Sequence, residues 1–313
     1  MAIGSLAIGI IFSLQTAAGI LGNFSLLSHD LYLHFTGCKL RCTDVTIRHL
    51  TLANCLVILF RGTPQTMAAL GMEGFLSDMG CKLVFYVHRV GRDVSKGSTC
   101  LLSVSQAVTI SPNNSCCRDL KIKTHRYIGP CNILCWVLNF ILNVMTPVHM
   151  TGKRHKENIT KRTDYGYCSS IPKEKTASSL YISLLFLHDA LPVGLMLCAS
   201  AFMLSFLHRH KQQVRYIRSH SATLRCSPES RAMQSVLILV SVFASLSMLS
   251  FILHVCVPAL NNPSMWLVHT SAFIAGSFPA VSPYILMSHD SRVPRLCFAC
   301  PRDAKSSPLR VSV

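Results

Sequence analysis

Ionisable side chains crowd one short stretch of an otherwise apolar chain: His88, Arg89, Arg92, Asp93 and Lys96. On a helix, residues three and four apart are neighbours. Arg89 and Asp93 are spaced i, i+4, and Asp93 and Lys96 i, i+3, so one carboxylate can serve two cations. His88, Arg92 and Lys96 then form a stripe, with Phe85 one turn before it. A later apolar segment carries His188 and Asp189 at a similar distance from its outer end. Charges inside a bilayer are costly and face the bundle interior or water. Phe85, His88, Arg92, His188 and Asp189 are therefore expected to line a polar pocket that receives an anionic or hydrogen-bonding ligand. The structural alternative, compatible with the first, is an ion-pair network that only ties helices together. A third reading takes Asp93 and Lys96 as damaging substitutions.

The remaining reactive residues point away from catalysis. There are 15 cysteines. Cys297-Phe298-Ala299-Cys300 has CxxC spacing, but no second pair lies at zinc-finger distance, so no metal site is expected. Their juxtamembrane place fits palmitoylation of Cys297 and Cys300 better, and Cys116-Cys117 is open to the same modification. Cys55, Cys100, Cys131, Cys135, Cys198 and Cys256 read as small apolar packers. The chain has no glycine-rich phosphate loop, no GxSxG and no HExxH, and His149 and His155 border a loop. No enzyme and no cofactor is expected.

The elements that must position these residues are membrane helices. Of 313 residues, 50% are hydrophobic and 14% charged, with mean hydropathy +0.40. A soluble domain carries about a quarter charged residues. Seven apolar segments are long enough to span a bilayer: 3–27, 45–69, 81–110, 128–150, 177–207, 232–259 and 265–287. The third and fifth exceed the bilayer thickness and should tilt or run on into water. The fold class expected is all-α, a seven-transmembrane-helix bundle over 1–287 with a cytoplasmic tail, 288–313. The apolar start of the chain, without a basic n-region, reads as a retained signal-anchor helix. Neither repeats nor low-complexity tracts appear. Ser227-Pro228-Glu229-Ser230 is a helix start, with a Ser cap, Pro at the first helical position and an acid in the first turn. Pro279 and Pro283 permit a kink in the seventh span.

Net charge is +17, from 30 Lys and Arg against 13 Asp and Glu. The basic residues fall mostly between apolar runs, so the charge speaks for topology and anionic lipid rather than nucleic acid. The first, third and fifth connections and the tail hold 17 Lys and Arg, and the fourth connection holds 7. That places the N-terminus outside and the tail in the cytosol. Asn158-Ile159-Thr160 in the fourth connection is an N-glycosylation acceptor, useful only outside; Asn113-Asn114-Ser115 would be cytosolic and stay unmodified. Cys168 shares the loop of Asn158, and Cys81 sits at the outer mouth of the third span, so an oxidising exterior lets the two pair and pin the loop over the bundle. On the cytosolic side Lys121, Lys123, Arg209, Lys211, Arg215 and Arg231 read as a solvated face near lipid or as a docking surface for a cytosolic partner. A transporter or channel is the alternative function class. An odd span count without detectable internal symmetry argues against it.

Longer motifs carry a resemblance. They include Leu14-Gln15-Thr16, Gly19-Ile20-Leu21-Gly22-Asn23, Leu52-Ala53-Asn54, Pro64-Gln65-Thr66-Met67, Gly80-Cys81-Lys82-Leu83-Val84-Phe85-Tyr86, Ile110-Ser111-Pro112, Tyr127-Ile128-Gly129-Pro130 and Asp164-Tyr165-Gly166-Tyr167-Cys168-Ser169-Ser170. Arg209-His210-Lys211-Gln212-Gln213-Val214, Ser227-Pro228-Glu229-Ser230-Arg231-Ala232 and Leu296-Cys297-Phe298-Ala299-Cys300 complete the set. Over nearly its whole length the chain resembles the vomeronasal type-1 receptors. The resemblance implies a rhodopsin-like G-protein-coupled receptor that binds small pheromone-like molecules outside and activates a heterotrimeric G protein of the inhibitory class. It carries the family's disulfide onto Cys81 and Cys168 and its loop glycan onto Asn158. The acidic-Arg-Tyr signature of most rhodopsin-like receptors is absent; Gln106, Ala107 and Val108 stand there, as in the family. The chain departs from the family pattern at His29-Asp30, which interrupts a usually apolar end of the first span, at Arg48, which adds a charge near the start of the second, and at Asp93 and Lys96, where a small and an apolar residue are expected.

Overall fold

The computed structural model describes residues 3–36, 42–72, 74–111, 115–144, 147, 150–152, 163–164, 167–170, 175–217, 228–259 and 265–289. Long helices dominate, because a chain in lipid has to satisfy its backbone hydrogen bonds internally. The elements are α1 (Ile3–Phe35), α2 (Cys42–Val57), α3 (Thr63–Ala69), α4 (Asp78–Ile110), α5 (Ser115–Leu142), α6 (Lys175–Ile217), α7 (Pro228–Ala259) and α8 (Met265–His289). Among the described residues, four segments are long and apolar enough to cross a membrane: Leu6–Phe35, Thr43–Ala69, His188–Phe206 and Trp266–Ser288. A shorter apolar stretch, Leu237–Ser250, lies in α7.

The helices are assembled inside out relative to a soluble protein. Leu14, Leu21 and Phe24 of α1 are about two-thirds exposed, whereas Asn23 of the same helix is fully buried. Asn54, Ser95, Ser98, Thr99, Ser103, Asn132 and Ser282 are buried too. Such burial is tolerated where polar groups find partners. Thr99 and Ser103 donate to the carbonyls of Ser95 and Thr99, each at 2.8 Å. The Asn54 amide donates to Ser282 Oγ at 2.9 Å and its carbonyl accepts from Ser95 Oγ at 2.7 Å, tying α2, α4 and α8 together. Pro283 has no N–H for the Pro279 carbonyl one turn back. Asn23 of α1 donates to that carbonyl at 2.9 Å instead.

α4 is the axis of the bundle and packs against α2, α5, α6, α7 and β1. Meeting protein on so many sides, it needs little apolar surface, which is why it can carry charges and hydroxyls. It starts at Ser77, whose Oγ accepts the Gly80 N–H at 3.2 Å, with Asp78 in the first turn. Next to it, α2 and α3 are one rod joined by a π-helical turn, Ile58–Gly62. Pro64 explains the turn. Lacking an N–H, it breaks the α-helical ladder, and the Thr63 N–H reaches back to the Ile58 carbonyl, five residues away. Between α6, α7 and α8 the core is Met196, Met203, Leu239, Phe243 and Phe278, with the two phenyl rings edge to face at 4.5 Å.

The expected fourth segment, 128–150, is corrected by the structure. α5 begins at Ser115 and ends at Leu142, while Met150 opens a strand. The early start was hidden because Arg118, Lys121 and Lys123 lower the hydropathy of the first helical turns. At the other end Asn143 and Val144 close the helix onto the Asn139 and Ile141 carbonyls, and the nearby Pro147 disfavours its continuation. α1 also runs eight residues beyond its expected end, through His29 and Asp30 to Phe35, and α6 continues to Ile217.

Over the N-terminal end of α4 lie three short strands, β1 (Met150–Gly152), β2 (Thr163–Asp164) and β3 (Cys168–Ser170), antiparallel in the order β1-β3-β2. Gly152 faces Cys168, and Thr163 faces Ser170.

Candidate functional site

The site is built downward from the roof. A disulfide joins Cys81, in the first turn of α4, to Cys168 of β3, 87 residues on, with Cα atoms 5.9 Å apart. Both cysteines are fully buried. Bridging so long a loop restricts the unfolded chain strongly, and here it fixes the sheet against α4. Beneath the bridge Phe85 stacks on Tyr167, ring centroids 5.8 Å apart and planes 26° from parallel. Val84, Phe75, Leu76 and Ala68 pack around them. Phe85, expected to line the pocket, is thus part of the contact between roof and helix.

One turn below, His88 is buried, and its Nε2 has no hydrogen-bond partner. It lies in the field of Arg61, Arg89, Arg92 and Asp93. Another turn down is the charged cluster. Lys96 Nζ meets Asp93 Oδ1 at 2.8 Å and bridges to Asp189 of α6. Arg92 reaches Asp93 at 3.6 Å and Asp189 at 3.7 Å. His188 Nδ1 stands 3.6 Å from Asp189 Oδ1. The other Asp93 oxygen accepts the Asn143 amide, just past the end of α5, at 3.0 Å. Three helices therefore converge on two carboxylates.

The cluster is graded in exposure. The Asp93 and Lys96 side chains are 3% and 7% exposed, whereas those of Arg92, His188 and Asp189 lie between 27% and 30%. The inner pair is sealed, and the other three groups are partly exposed. Ligand atoms of Asp93, His188 and Asp189 lie within 4.8 Å of one another, a spacing compact enough to hold a cation. The Lys96 ammonium, bonded to both carboxylates, fills that position.

The structure brings His88, Arg92, Asp93, Lys96, His188 and Asp189 together, with one pairing other than expected. Arg89, the expected i, i+4 partner of Asp93, makes no ion pair among the described residues. The Asp93 carboxylate is met instead by Lys96, Arg92 and Asn143. Two contributors were missed. Asn143 lay inside the misplaced fourth segment; its i, i+4 relation to Asn139 on a helix was the available signal. Tyr167 was quoted only within a motif, since nothing in a short loop tells which aromatic folds inward. The charged departures also pair off, for Arg48 of α2 meets Asp30 of α1 at 2.6 Å, as Asp93 meets Lys96. On the opposite side of the molecule Lys123 and Arg209 are exposed and Lys121 is half-buried. The side chains of Lys211, Arg215 and Arg231 lie outside the described residues, as do Asn158, Cys297 and Cys300 entirely.

Apolar helices turned outward, polar groups turned inward and a disulfide-pinned sheet above a charged cluster define a multi-pass helical membrane protein. Comparison over the whole chain supplies the family: the chain belongs to the vomeronasal organ pheromone receptor family, whose model matches residues 6–299. It is 48% identical over 302 residues to vomeronasal type-1 receptor 4 of Homo sapiens, covering 96% of this chain and all of the relative. To vomeronasal type-1 receptor 3 of Homo sapiens it is 49% identical over 301 residues, 96% of each chain. A more distant relative, olfactory receptor class A-like protein 1 of Danio rerio, is 29% identical over 287 residues, 91% of this chain and 90% of that one.

Proposed function

We propose that the chain is a seven-span chemoreceptor with its N-terminus outside and its C-terminus in the cytosol, which binds a small pheromone beneath the β-sheet roof and activates a heterotrimeric G protein of the inhibitory class. One observation carries this reading. Asp189 of α6 is held by Lys96 and Arg92 of α4, in the partly exposed layer of the charged cluster. A ligand that offers these cations an acceptor of its own competes with Asp189 and loosens α6 from α4. Binding one packing better than the other shifts the population between them. Lys121, Lys123, Arg209, Lys211, Arg215 and Arg231 form the cytosolic face that meets the G protein and anionic lipid. Asn158 carries a glycan outside, and Cys297 and Cys300 carry acyl chains inside.

Ligand-dependent nucleotide exchange on a co-reconstituted inhibitory-class G protein is the direct test. Exchange is expected in the wild type and lost in Arg92→Ala. Silence of surface-exposed, folded protein toward a broad panel of volatile and water-soluble chemosignals would overturn the reading. A C-terminal epitope reachable from outside intact cells would overturn the topology.

A further inference from the structure

Two thiols of the bundle interior meet outside the charged cluster. Cys100 of α4 is buried, Cys135 of α5 is half-buried, and both are free. Gly97 shows how they approach. A Cβ at that position would collide with Cys135 Sγ, so α5 lays its sulfur in the space where α4 has no side chain. Cys100 follows Gly97 by three residues, one turn along the same face. Helical side chains lean back toward the N-terminus of their helix, which carries the Cys100 sulfur over the turn of Gly97. The two thiols accordingly lie within electrostatic reach of each other.

A third side chain supports the second sulfur. Asn139, buried one turn further along α5, donates its amide to Cys135 Sγ at 3.5 Å and to the Cys135 carbonyl at 2.8 Å. Outer donors of this kind orient a metal ligand and tune it.

We propose that Cys100 and Cys135 form a two-sulfur site for Cu(I) between α4 and α5. Thiolates select soft ions, and the number of ligands narrows the choice. Among the described residues the one group of three metal-ligating side chains is Asp93, His188 and Asp189. Two sulfurs are therefore all that these residues offer the ion. Structural zinc takes four ligands, and calcium and magnesium take oxygens. Cu(I) is stable with two thiolates in line. Its binding releases both thiol protons and leaves one negative charge on the complex, beside which Lys96, four residues before Cys100, is the neighbouring cation. The ion ties α4 to α5. Its ligands are no part of the charged cluster, and the site is independent of pheromone binding and G-protein coupling.

The test uses the full-length receptor in nanodiscs, without oxygen and under ascorbate. Every cysteine is changed to Ser except those of the spans and of the Cys81–Cys168 bridge, so that loop and tail thiols do not compete. Cu(I) is titrated against bicinchoninate, a coloured Cu(I) chelator. A bound ion should show two sulfur neighbours by X-ray absorption and should raise the thermal midpoint. Cys100→Ala and Cys135→Ala should each abolish it, and the double variant should lose no more than either. Asn139→Leu, which keeps both thiols, should weaken binding by about tenfold or more. Zn(II) should not compete. Should an alanine variant fail to fold, the sulfur count in the parent protein decides. No bound ion, nitrogen or oxygen neighbours on the copper, or an ion that either alanine variant retains would overturn the site and leave the two cysteines as packing residues.

Discussion

Two acid–base contacts hold the bundle, and they differ in what surrounds them. Near the end of α1, Asp30 meets Arg48 of α2 as an isolated pair, with side chains 14% and 38% exposed. Along α4, Asp93 and Lys96 are sealed from solvent and shared with Arg92, Asp189 and Asn143. Part of the first pair is wet, and pairs of that kind contribute about 0–1 kcal/mol. In the second, removing one member strands a buried charge, at a cost of about 3–5 kcal/mol. Chemically the pairs are alike; burial and the number of shared partners separate a tether from a keystone. Both also bear on the third reading of the sequence. Each charged departure from the family pattern at these four positions has a partner of opposite sign in contact.

The sharpest way to break the contrast is Lys96→Met. It leaves Asp93 and Asp189 without their shared cation and should lower stability by about 3–5 kcal/mol, read as a large drop in the thermal midpoint of purified receptor and in surface level. Adding Asp93→Asn to Lys96→Met should recover part of that loss; no recovery would mean that Lys96 acts through packing alone. Next comes the roof. Cys81→Ser with Cys168→Ser should cost about 2–5 kcal/mol and release the sheet, seen as rapid proteolysis of the loop containing Tyr167. A smaller effect is expected from Asn23→Leu, which deprives the Pro279 carbonyl of its donor; hydrogen bonds between membrane helices average about 0.6 kcal/mol with a maximum near 1.7, so the midpoint should fall by only a few degrees. Smallest of all is Asp30→Asn, at about 0–1 kcal/mol. Should Asp30→Asn unfold the receptor as badly as Lys96→Met, the role given to burial would be wrong.

Much of this arrangement was readable from spacing. Apolar runs located the helices, and the i, i+3 relation of Asp93 and Lys96 brought out the inner pair. The depth of His188 and Asp189 placed them opposite the α4 charges. What spacing could not decide was tertiary choice. Arg89 and Arg92 are both close enough in sequence to serve Asp93, and the position of α6, with Asp189 upon it, favoured Arg92. Asn143 was invisible because hydropathy shifted the fourth helix toward the strand at Met150. The sheet was invisible because strands of two or three residues carry no alternation to detect. The pair Asp30–Arg48 was in plain view as two oddities, but only the crossing of α1 and α2 makes them one feature.

The π-helical turn at Ile58–Gly62 has a wider bearing. It inserts one extra residue into the spiral, so every side chain past it is rotated by about 100° from where uninterrupted winding would aim it. Positions before Ile58 and after Gly62 therefore keep different compass bearings, and counting in steps of three and four across the turn names the wrong face. Deleting one residue there would realign the two halves by swinging Gln65 and its neighbours away from the surfaces they now meet. The length of this segment, quite apart from its composition, is part of what the fold specifies.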